Sequence, residues 1–297
     1  MSLSETMSSP VIVTDTAPDR PLDELVGFIH RHPKLLVLTG AGCSTASGIP
    51  DYRDQDGNRK NPDPVQYRDF VDKPEVRQRY WARSLIGWPK MAAVQPNAAH
   101  TALMALEQAG FIHQLVTQNV DSLHQKAGSR RVIDLHGRLD SVDCLSCGHR
   151  QPRDRFQHTL IDLNPDFAVL TAREAPDGDA RLENTDFSRF RVPPCPRCGG
   201  VVKPHVVFFG ESIPRPRTER ALAKLAEADG LLVVGSSLMV YSGFRFCRLA
   251  AERNQPIAAI NLGRTRADDL IGLKVAGNCA EVLPALIERL VPETQRS

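Results

Sequence analysis

The run Leu35-Leu36-Val37-Leu38, followed by Gly40-Ala41-Gly42, constrains this chain more than any other segment. Four consecutive apolar residues read as a buried parallel strand. A strand entering closely spaced glycines lets the backbone approach a phosphate, and the helix N-terminus expected next presents unpaired N–H groups. The dehydrogenase form of this turn carries a third glycine three residues after the second. It also carries an acidic residue at the end of a second strand about 20 residues on. Here Thr45 takes the glycine position, and Gln55-Asp56-Gly57-Asn58-Arg59-Lys60-Asn61-Pro62 reads as loop. The phosphate reading stands, and hydride transfer is disfavoured.

The same alternation recurs along the chain. Leu22, Leu25, Val26 and Ile29 mark an amphipathic helix ahead of the first strand. Asn97 reads as the N-cap of a helix carrying Leu103 and Leu106, with Gly110 past its end. A strand from Ile112 to Val116 then enters Thr117-Gln118-Asn119-Val120-Asp121. A helix through Leu222 and Leu225 leads to the strand Leu231–Val234 and to Gly235-Ser236-Ser237. The strand Ile257–Ile260 ends in Asn261-Leu262-Gly263, and a last helix carries Val282, Leu283, Leu286 and Ile287. Apolar strands alternating with helices predict an α/β fold, a parallel sheet covered on both faces. Polar and glycine clusters close four of these strands, which is where open sheets bind ligands.

Two stretches interrupt the pattern. Residues 52–95, rich in Arg, Pro and aromatics, suit a helical insertion. Residues 140–202 are polar, Pro-rich and bracketed by Cys144-Leu145-Ser146-Cys147-Gly148 and Cys195-Pro196-Arg197-Cys198-Gly199. Each knuckle sets two thiolates on a tight turn, and two such turns complete a closed four-cysteine zinc site of structural type. The alternative is two unrelated redox pairs, which the matching trailing glycines disfavour. Residues 21–51, 96–139 and 203–297 are left for the sheet domain. Residues 1–20 read as a loose tail, lacking the Arg bias of a transit peptide and the apolar core of a signal peptide. The seven cysteines, an odd number with four in CxxC pairs, point to metal and a reducing compartment. A cytoplasmic location follows. A net charge of +2 gives no sign of a nucleic-acid surface. No apolar run approaches the ~20 residues of a membrane span.

Singly, the polar positions are weak signals. A histidine before glycine (His136) is more often structural, Asn119 and Asp121 commonly cap turns, and Ser236 and Ser237 suit helix caps. Together, in order, the segments GAGCSTASGIPDYRD, QPNAAH, TQNVDSLHQKAG, LHG, two CxxC pairs, KPHVVFFGE, VGSSLMVYS and NLG resemble the sirtuins, the NAD-dependent protein deacylases. RQRYWARSLIGWP, TQNVDSLHQKAGSRR, APDGD and SSLMVYSG are most similar to the class II branch, which includes a mitochondrial lipoamidase and ADP-ribosyltransferase. Cys43 and Tyr52 depart from the commoner pattern, where Ile or Ala and Phe are usual. A thiol at position 43 would leave an oxidisable group near the cofactor.

The resemblance implies a Rossmann-like NAD-binding domain and a small domain built from the zinc module and the helical insertion, with NAD and acyl-lysine meeting between them. It implies that Ser44, Ile49, Asn119 and Asp121 form the nicotinamide pocket. Gly40, Ala41, Gly42 and Arg53 would meet the phosphates, and Thr45 and Ser236 would add phosphate or ribose contacts. Gly235, Asn261, Gly263 and Cys279 would line the adenosine end. Asp51, Tyr52, Gln118, Ser237 and Leu262 complete the expected NAD contacts. His136 would be the general base, with Asn119 as its catalytic partner. Cys144, Cys147, Cys195 and Cys198 would hold one zinc. An extended peptide would add as a strand between Val207-Phe208-Phe209-Gly210-Glu211 and Val240-Tyr241. Tyr80 and Arg83, three apart on a helix, would favour a bulky or carboxylated acyl chain. The rival activities are ADP-ribosyl transfer to protein and NAD binding with weak activity. They differ in the product formed.

Overall fold

The computed structural model describes residues 11–12, 20–60, 64–170, 173–174, 180–181 and 185–291. The loose tail read at 1–20 and the APDGD segment lie almost wholly outside the described residues.

The strands are β1 (Val11–Ile12), β2 (Leu35–Thr39), β3 (Ile112–Thr117), β4 (Val132–Asp134), β5 (Gly137–Cys144) and β6 (Arg150–Pro152). They continue with β7 (Arg173–Glu174), β8 (Ala180–Arg181), β9 (Val202–Val206), β10 (Gly230–Val234), β11 (Ile257–Ile260) and β12 (Leu273–Val275). The helices of the first half are α1 (Arg20–Arg31), α2 (Tyr67–Asp72), α3 (Pro74–Ala93), α4 (Ala98–Gln108) and α5 (Leu123–Lys126). Those of the second are α6 (Arg153–Leu163), α7 (Pro165–Ala168), α8 (Arg215–Ala226), α9 (Tyr241–Glu252) and α10 (Cys279–Leu290).

The large sheet has the order β1-β12-β11-β10-β2-β3-β4, with every pair parallel. The chain moves outward from β2 through β3 to β4, then restarts at β10 and moves the other way. The order therefore reverses between β2 and β10, and the crevice beyond their carboxyl ends is where such a sheet takes a ligand. Both faces are covered, as the apolar strands require. Leu35 and Val37 pack with Leu25, Ile29, Leu103, Leu283 and Leu286 of α1, α4 and α10. Leu36 and Leu38 point the other way, onto Ala221, Leu225 and Phe246 of α8 and α9. Each buried Leu is worth roughly 1.5–3 kcal/mol against exposure, so β2, buried along its whole length, anchors both helix layers. Asn97 caps α4, its side chain accepting from Ala99 N at 2.8 Å, and Gly110 beyond the helix end has φ +89°.

The two insertions that the sequence separates share one core. Phe70, Tyr80, Trp81 and Leu85 of α2 and α3 pack with Val142, Phe156, Leu160, Phe190 and Val202 around the cysteine knuckles. Sequence positions more than a hundred apart meet there, and local periodicity carries no trace of it. The boundaries expected at 139/140 and 202/203 fall inside β5 and β9, which pair antiparallel from Gly137↔Val206 to Cys144↔Val202. The joint between sheet and small module is thus two hydrogen-bonded strands rather than a loop.

The glycine turn differs from the expected helix N-terminus. After β2 the chain makes two short 3₁₀ turns, Ala41–Cys43 and Thr45–Ser47. Gly48, at φ +89°, ends the second, and Pro50 prevents continuation. What holds the turn is its neighbour: Gly42 N donates to Gly235 O at 2.8 Å and Gly40 N to Val234 O at 3.0 Å. A Cβ on Gly40 would lie 2.7 Å from Ser236 Cβ, and one on Gly42 would lie 2.9 Å from Gly235 O. Gly235 has φ +58°, and a Cβ there would collide with Cys43 N. Gly235→Ala combines left-handed strain with that collision and should cost at least about 1–3 kcal/mol; a thermal melt matching the unsubstituted protein would contradict this account of the turn.

Candidate active site

One cavity of about 1170 Å³ lies between the sheet's strand ends and the small module. Every residue predicted for cofactor, catalysis and substrate lines it, from Gly40, Gly235 and Cys279 on one side to Tyr80, Arg83 and Phe209 on the other. The four knuckle cysteines lie outside it.

At the end of β3 the chain places Gln118, Asn119 and Asp121 opposite the glycine turn. Ser44 Oγ donates to Asp121 Oδ2 at 2.7 Å, and Asp121 Oδ1 accepts from Leu123 N at 2.9 Å. Asn119 Nδ2 donates to Gly40 O at 3.0 Å and to Ser44 Oγ at 3.1 Å. The amide of Asn119 is thereby oriented by the glycine turn itself. Ile49 closes this end with Trp88, Leu123, Leu139 and Val206, an apolar wall that excludes water. Two neutral histidines back it. His100 falls to about 4 and His124 lies well below the ordinary histidine range, both through burial. With Cys43 they bring three donor atoms within 4.8 Å of one another. His100 Nδ1 accepts from Asn97 N, so its proton sits on Nε2 and one ring nitrogen is already engaged. A metal there would need that proton removed, and the trio fits packing better than coordination.

His136 follows β4. Its Nδ1 donates to Gln118 O at 2.9 Å, and its Nε2 meets Ser242 Oγ at 2.8 Å. The carbonyl fixes the proton on Nδ1, so Nε2 is the lone pair, and the serine hydroxyl donates to it. Burial lowers the pKa of His136, and the Gln118 carbonyl opposes this only in part. The ring is a neutral base at pH 7. Gln118 also reaches the turn after β10, its Oε1 accepting from Ser236 Oγ at 2.7 Å. Ser242 falls in the stretch expected to meet a peptide by its backbone, and neither its contact with His136 nor the second role of Gln118 is marked in the sequence. Ser242 lies 106 residues from His136 and stands in no local pattern.

Several expected contacts are modified. Arg53 lines the cavity, but its Nη1 donates to Gly57 O at 2.6 Å, holding the 53–59 loop. Asp51 pairs with Lys60. Asn261 Nδ2 donates to Gly263 O at 2.9 Å, shaping the outer rim, where Leu262 is 58% exposed. Of the backbone expected to pair with a peptide, Val207 N already donates to His136 O at 2.7 Å and Phe208 N to Glu211 Oε2 at 2.8 Å. Tyr80 is buried edge-on against Phe70, Trp81 and Phe208. Arg79, Tyr80 and Arg83 line the cavity from one face of α3.

In the small module the four cysteine sulfurs lie within 4.8 Å of one another. Cys144 Sγ is 3.5 Å from Cys198 Sγ, and Cys147 Sγ is 3.7 Å from Cys195 Sγ. Such spacing is far too long for disulfides and close to the edge of a Zn–S tetrahedron, about 3.8 Å. Backbone N–H groups point at the sulfurs, from Ser146 to Cys144 and from Arg197 to Cys195. The Cys147 N–H is the largest influence holding the Cys144 thiol down to about 6. The donor set fits one zinc ion, with no position left for a substrate oxygen.

A parallel α/β sheet with a ligand crevice at its switch point, a half-buried neutral histidine and a closed four-thiolate module define a two-domain enzyme of nucleotide chemistry. Residues 40–242 match the family model described as the Sir2 family. The chain is 61% identical over 262 residues to an NAD-dependent protein deacetylase of Xanthomonas axonopodis pv. citri, covering 88% of this chain and 89% of that relative. It is 59% identical to a protein of the same name from Bordetella bronchiseptica, over 90% of this chain and 97% of the relative. A solved structure of a Sir2–p53 peptide–NAD⁺ complex superposes with a TM-score of 0.70 at 29% identity, covering 90% of this chain and 98% of the other. The chain belongs to the Sir2 family, as the resemblance to the sirtuins implied.

Chelation should release one zinc per chain and melt the shared core of the small module, lowering activity only through that loss. Metal analysis with circular dichroism checks it, and a folded, active, zinc-free protein would contradict it.

Proposed function

We propose that this chain is an NAD-dependent protein-lysine deacylase that works in the cleft between its two domains. The observation that carries this reading is His136, a half-buried neutral base that lines the same cavity as the glycine turns, its lone pair held by the Ser242 hydroxyl. The relatives named deacetylases and the Sir2 structures holding NAD and acetylated peptide support it. The donor set suits the cofactor. Two glycine turns can meet a pyrophosphate, Asn119 and Asp121 can meet a carboxamide, and the open rim at Leu262 and Gly263 can take an adenine.

NAD, when bound, supplies the ribosyl carbon that accepts the acyl oxygen. The protein does the rest. Asn119, held by Gly40 O and Ser44 Oγ, orients its carbonyl into the cavity. The Ile49 wall keeps water from the reacting end. His136 takes a proton at Nε2 from a hydroxyl, and its Nδ1–H is steadied by Gln118 O while the ring becomes positive. Ser242 holds Nε2 in place until a substrate hydroxyl replaces it. The peptide lies extended between 207–211 and 240–241, using backbone other than the Val207 and Phe208 N–H groups. The similarity to the class II branch belongs to this reading, as does a cytoplasmic location, where four thiolates stay reduced.

A preference for carboxylated or bulky acyl groups follows from Arg79, Tyr80 and Arg83 facing the cavity together. A guanidinium there can meet a carboxylate at the acyl end.

His136→Ala should lower kcat by about 10²–10⁴ with NAD binding retained, because the base acts after binding. The acid limb of kcat/KM in the unsubstituted protein should fall below pH 6.5, since burial lowers this histidine from that value and protonation removes the base. Calorimetry showing a folded variant without NAD affinity would refute the assignment, as would an acid limb above that value. Arg83→Met should reduce kcat/KM for a glutaryl-lysine peptide by about 1.5–3 kcal/mol of contact, well beyond its effect on an acetyl-lysine peptide. Equal losses on both peptides would rule the role out.

A further inference from the structure

Tyr241 opens α9 at the rim of the cavity, one residue before the serine that touches His136. Its ring is 42% exposed, and three guanidiniums gather around it. Arg245 and Arg248 follow Tyr241 by four and seven positions, so the helical period puts all three on one face. Their guanidinium carbons lie 5.5 and 5.6 Å from the ring centre. Arg266, from the loop after β11, lies 6.0 Å from the same centre and 4.4 Å from that of Phe244.

The charge at this rim is one-sided. From Tyr241 to Arg266 the sequence holds Arg245, Arg248, Arg253, Arg264 and Arg266 against one carboxylate, Glu252. Glu252 meets Arg248 at 3.4 Å, but both partners are exposed, and such a pair is weak. Asp268, two residues beyond Arg266, is held by Lys274 at 2.8 Å and by Thr265 Oγ1 at 2.6 Å. Among the described residues no carboxylate pairs with Arg245 or Arg266, that of Asp269 included. Arg266 spends one donor on Met239 O at 3.4 Å. Ring contact offsets part of the repulsion among three cations, yet it leaves their other N–H groups to a carboxylate arriving beside the ring.

We propose that the arginines around Tyr241 are a specificity site for acidic side chains next to the acyl-lysine, so that preferred targets carry Asp or Glu beside the modified lysine. The assignment rests on the deacylase reading above, with the peptide lying along 240–241. It is separate from the acyl end of the cavity, where Arg79 and Arg83 stand on α3. Because Tyr241 adjoins Ser242, an acyl-lysine that reaches His136 brings its own neighbours past the arginines. An extended chain advances about 3.3 Å per residue and alternate side chains share a face, so a carboxylate two positions away lies roughly 7 Å along. That is the scale of the distances between ring and guanidiniums. A Lys or Arg at the same place meets like charge, so the site discriminates by repulsion as well as attraction.

The test compares acetyl-lysine peptides that differ only in Glu, Gln or Lys at each of the four positions on either side of the acyl-lysine. Turnover and fluorescence-anisotropy binding are read on the full chain with its zinc. Glu on one flank should lower KM by about two- to fivefold against Gln, and Lys should raise it, with kcat unchanged. The difference should shrink as salt rises from about 50 to about 500 mM. Arg245→Glu should invert the order, favouring Lys over Glu, and Arg245→Lys should keep it. The Gln peptide should be turned over equally by all three proteins. Should Arg245→Glu not fold, Arg248→Glu is expected to give the same inversion. The proposal is overturned if the Glu, Gln and Lys peptides share one KM at every position, or if the charge-reversed variant keeps the original order. Tighter binding of a short DNA duplex than of the Glu peptide, lost in Arg245→Glu, would assign the patch to nucleic acid and overturn it as well. Turnover without discrimination leaves the deacylase reading standing. Acidic-flank binding that Arg245→Glu inverts, with no turnover of any acyl peptide, keeps the site and overturns that reading.

Discussion

Everything in this molecule is arranged around the contact between two turns. Gly40–Gly42 after β2 and Gly235–Ser236 after β10 touch backbone to backbone, closer than any side chain allows. That closeness fixes the mouth of the sheet at the point where strand order reverses. It sets the 3₁₀ path toward Ser44, and through Ser44 the positions of Asn119 and Asp121. It also sets Gln118, whose side chain rests on Ser236 while its carbonyl holds the His136 proton. The glycine turns, Asn119, Asp121, Gln118 and His136 form one hydrogen-bonded chain, and rigidity in such a chain comes from every member being satisfied.

The sheet was legible because its strands are pure apolar runs closed by glycine and polar clusters, and both signals are local. The cysteine knuckles were legible for the same reason. The α4 cap at Asn97 and the stop at Gly110 could be read directly from residue type. Harder to read was anything whose cause lies across the fold. Gly48 and Pro50 are visible in the sequence, but that they replace a helix by 3₁₀ turns depends on Gly235 holding the other side. The shared core of α3 and the zinc module depends on Trp81 reaching Phe156 and Val202, and no spacing rule predicts that pairing.

Within the site, the fold gives several residues partners that residue type alone does not show. Arg53 is in the cavity, yet its charge is spent partly on the Gly57 carbonyl. Phe208 lines the cavity, yet its N–H belongs to Glu211, and Lys203 ties Glu211 down in turn. A buried cation completes the small module: Arg153 stacks over Trp81 and Trp88 at 5.4 and 5.2 Å, and burial lowers its pKa to about 10. Aromatic faces stand there where a carboxylate would be expected, and only the assembled core explains why a charge is tolerated.

The two-strand joint between the modules begins at the base. His136 immediately precedes β5, Val207 immediately follows β9, and the two are bonded to each other across the start of the ladder. Any rocking of the small module about that ladder has its fulcrum beside the imidazole. A base at that position, the role proposed for His136, keeps its ring partners Gln118 and Ser242 on the sheet side of the joint.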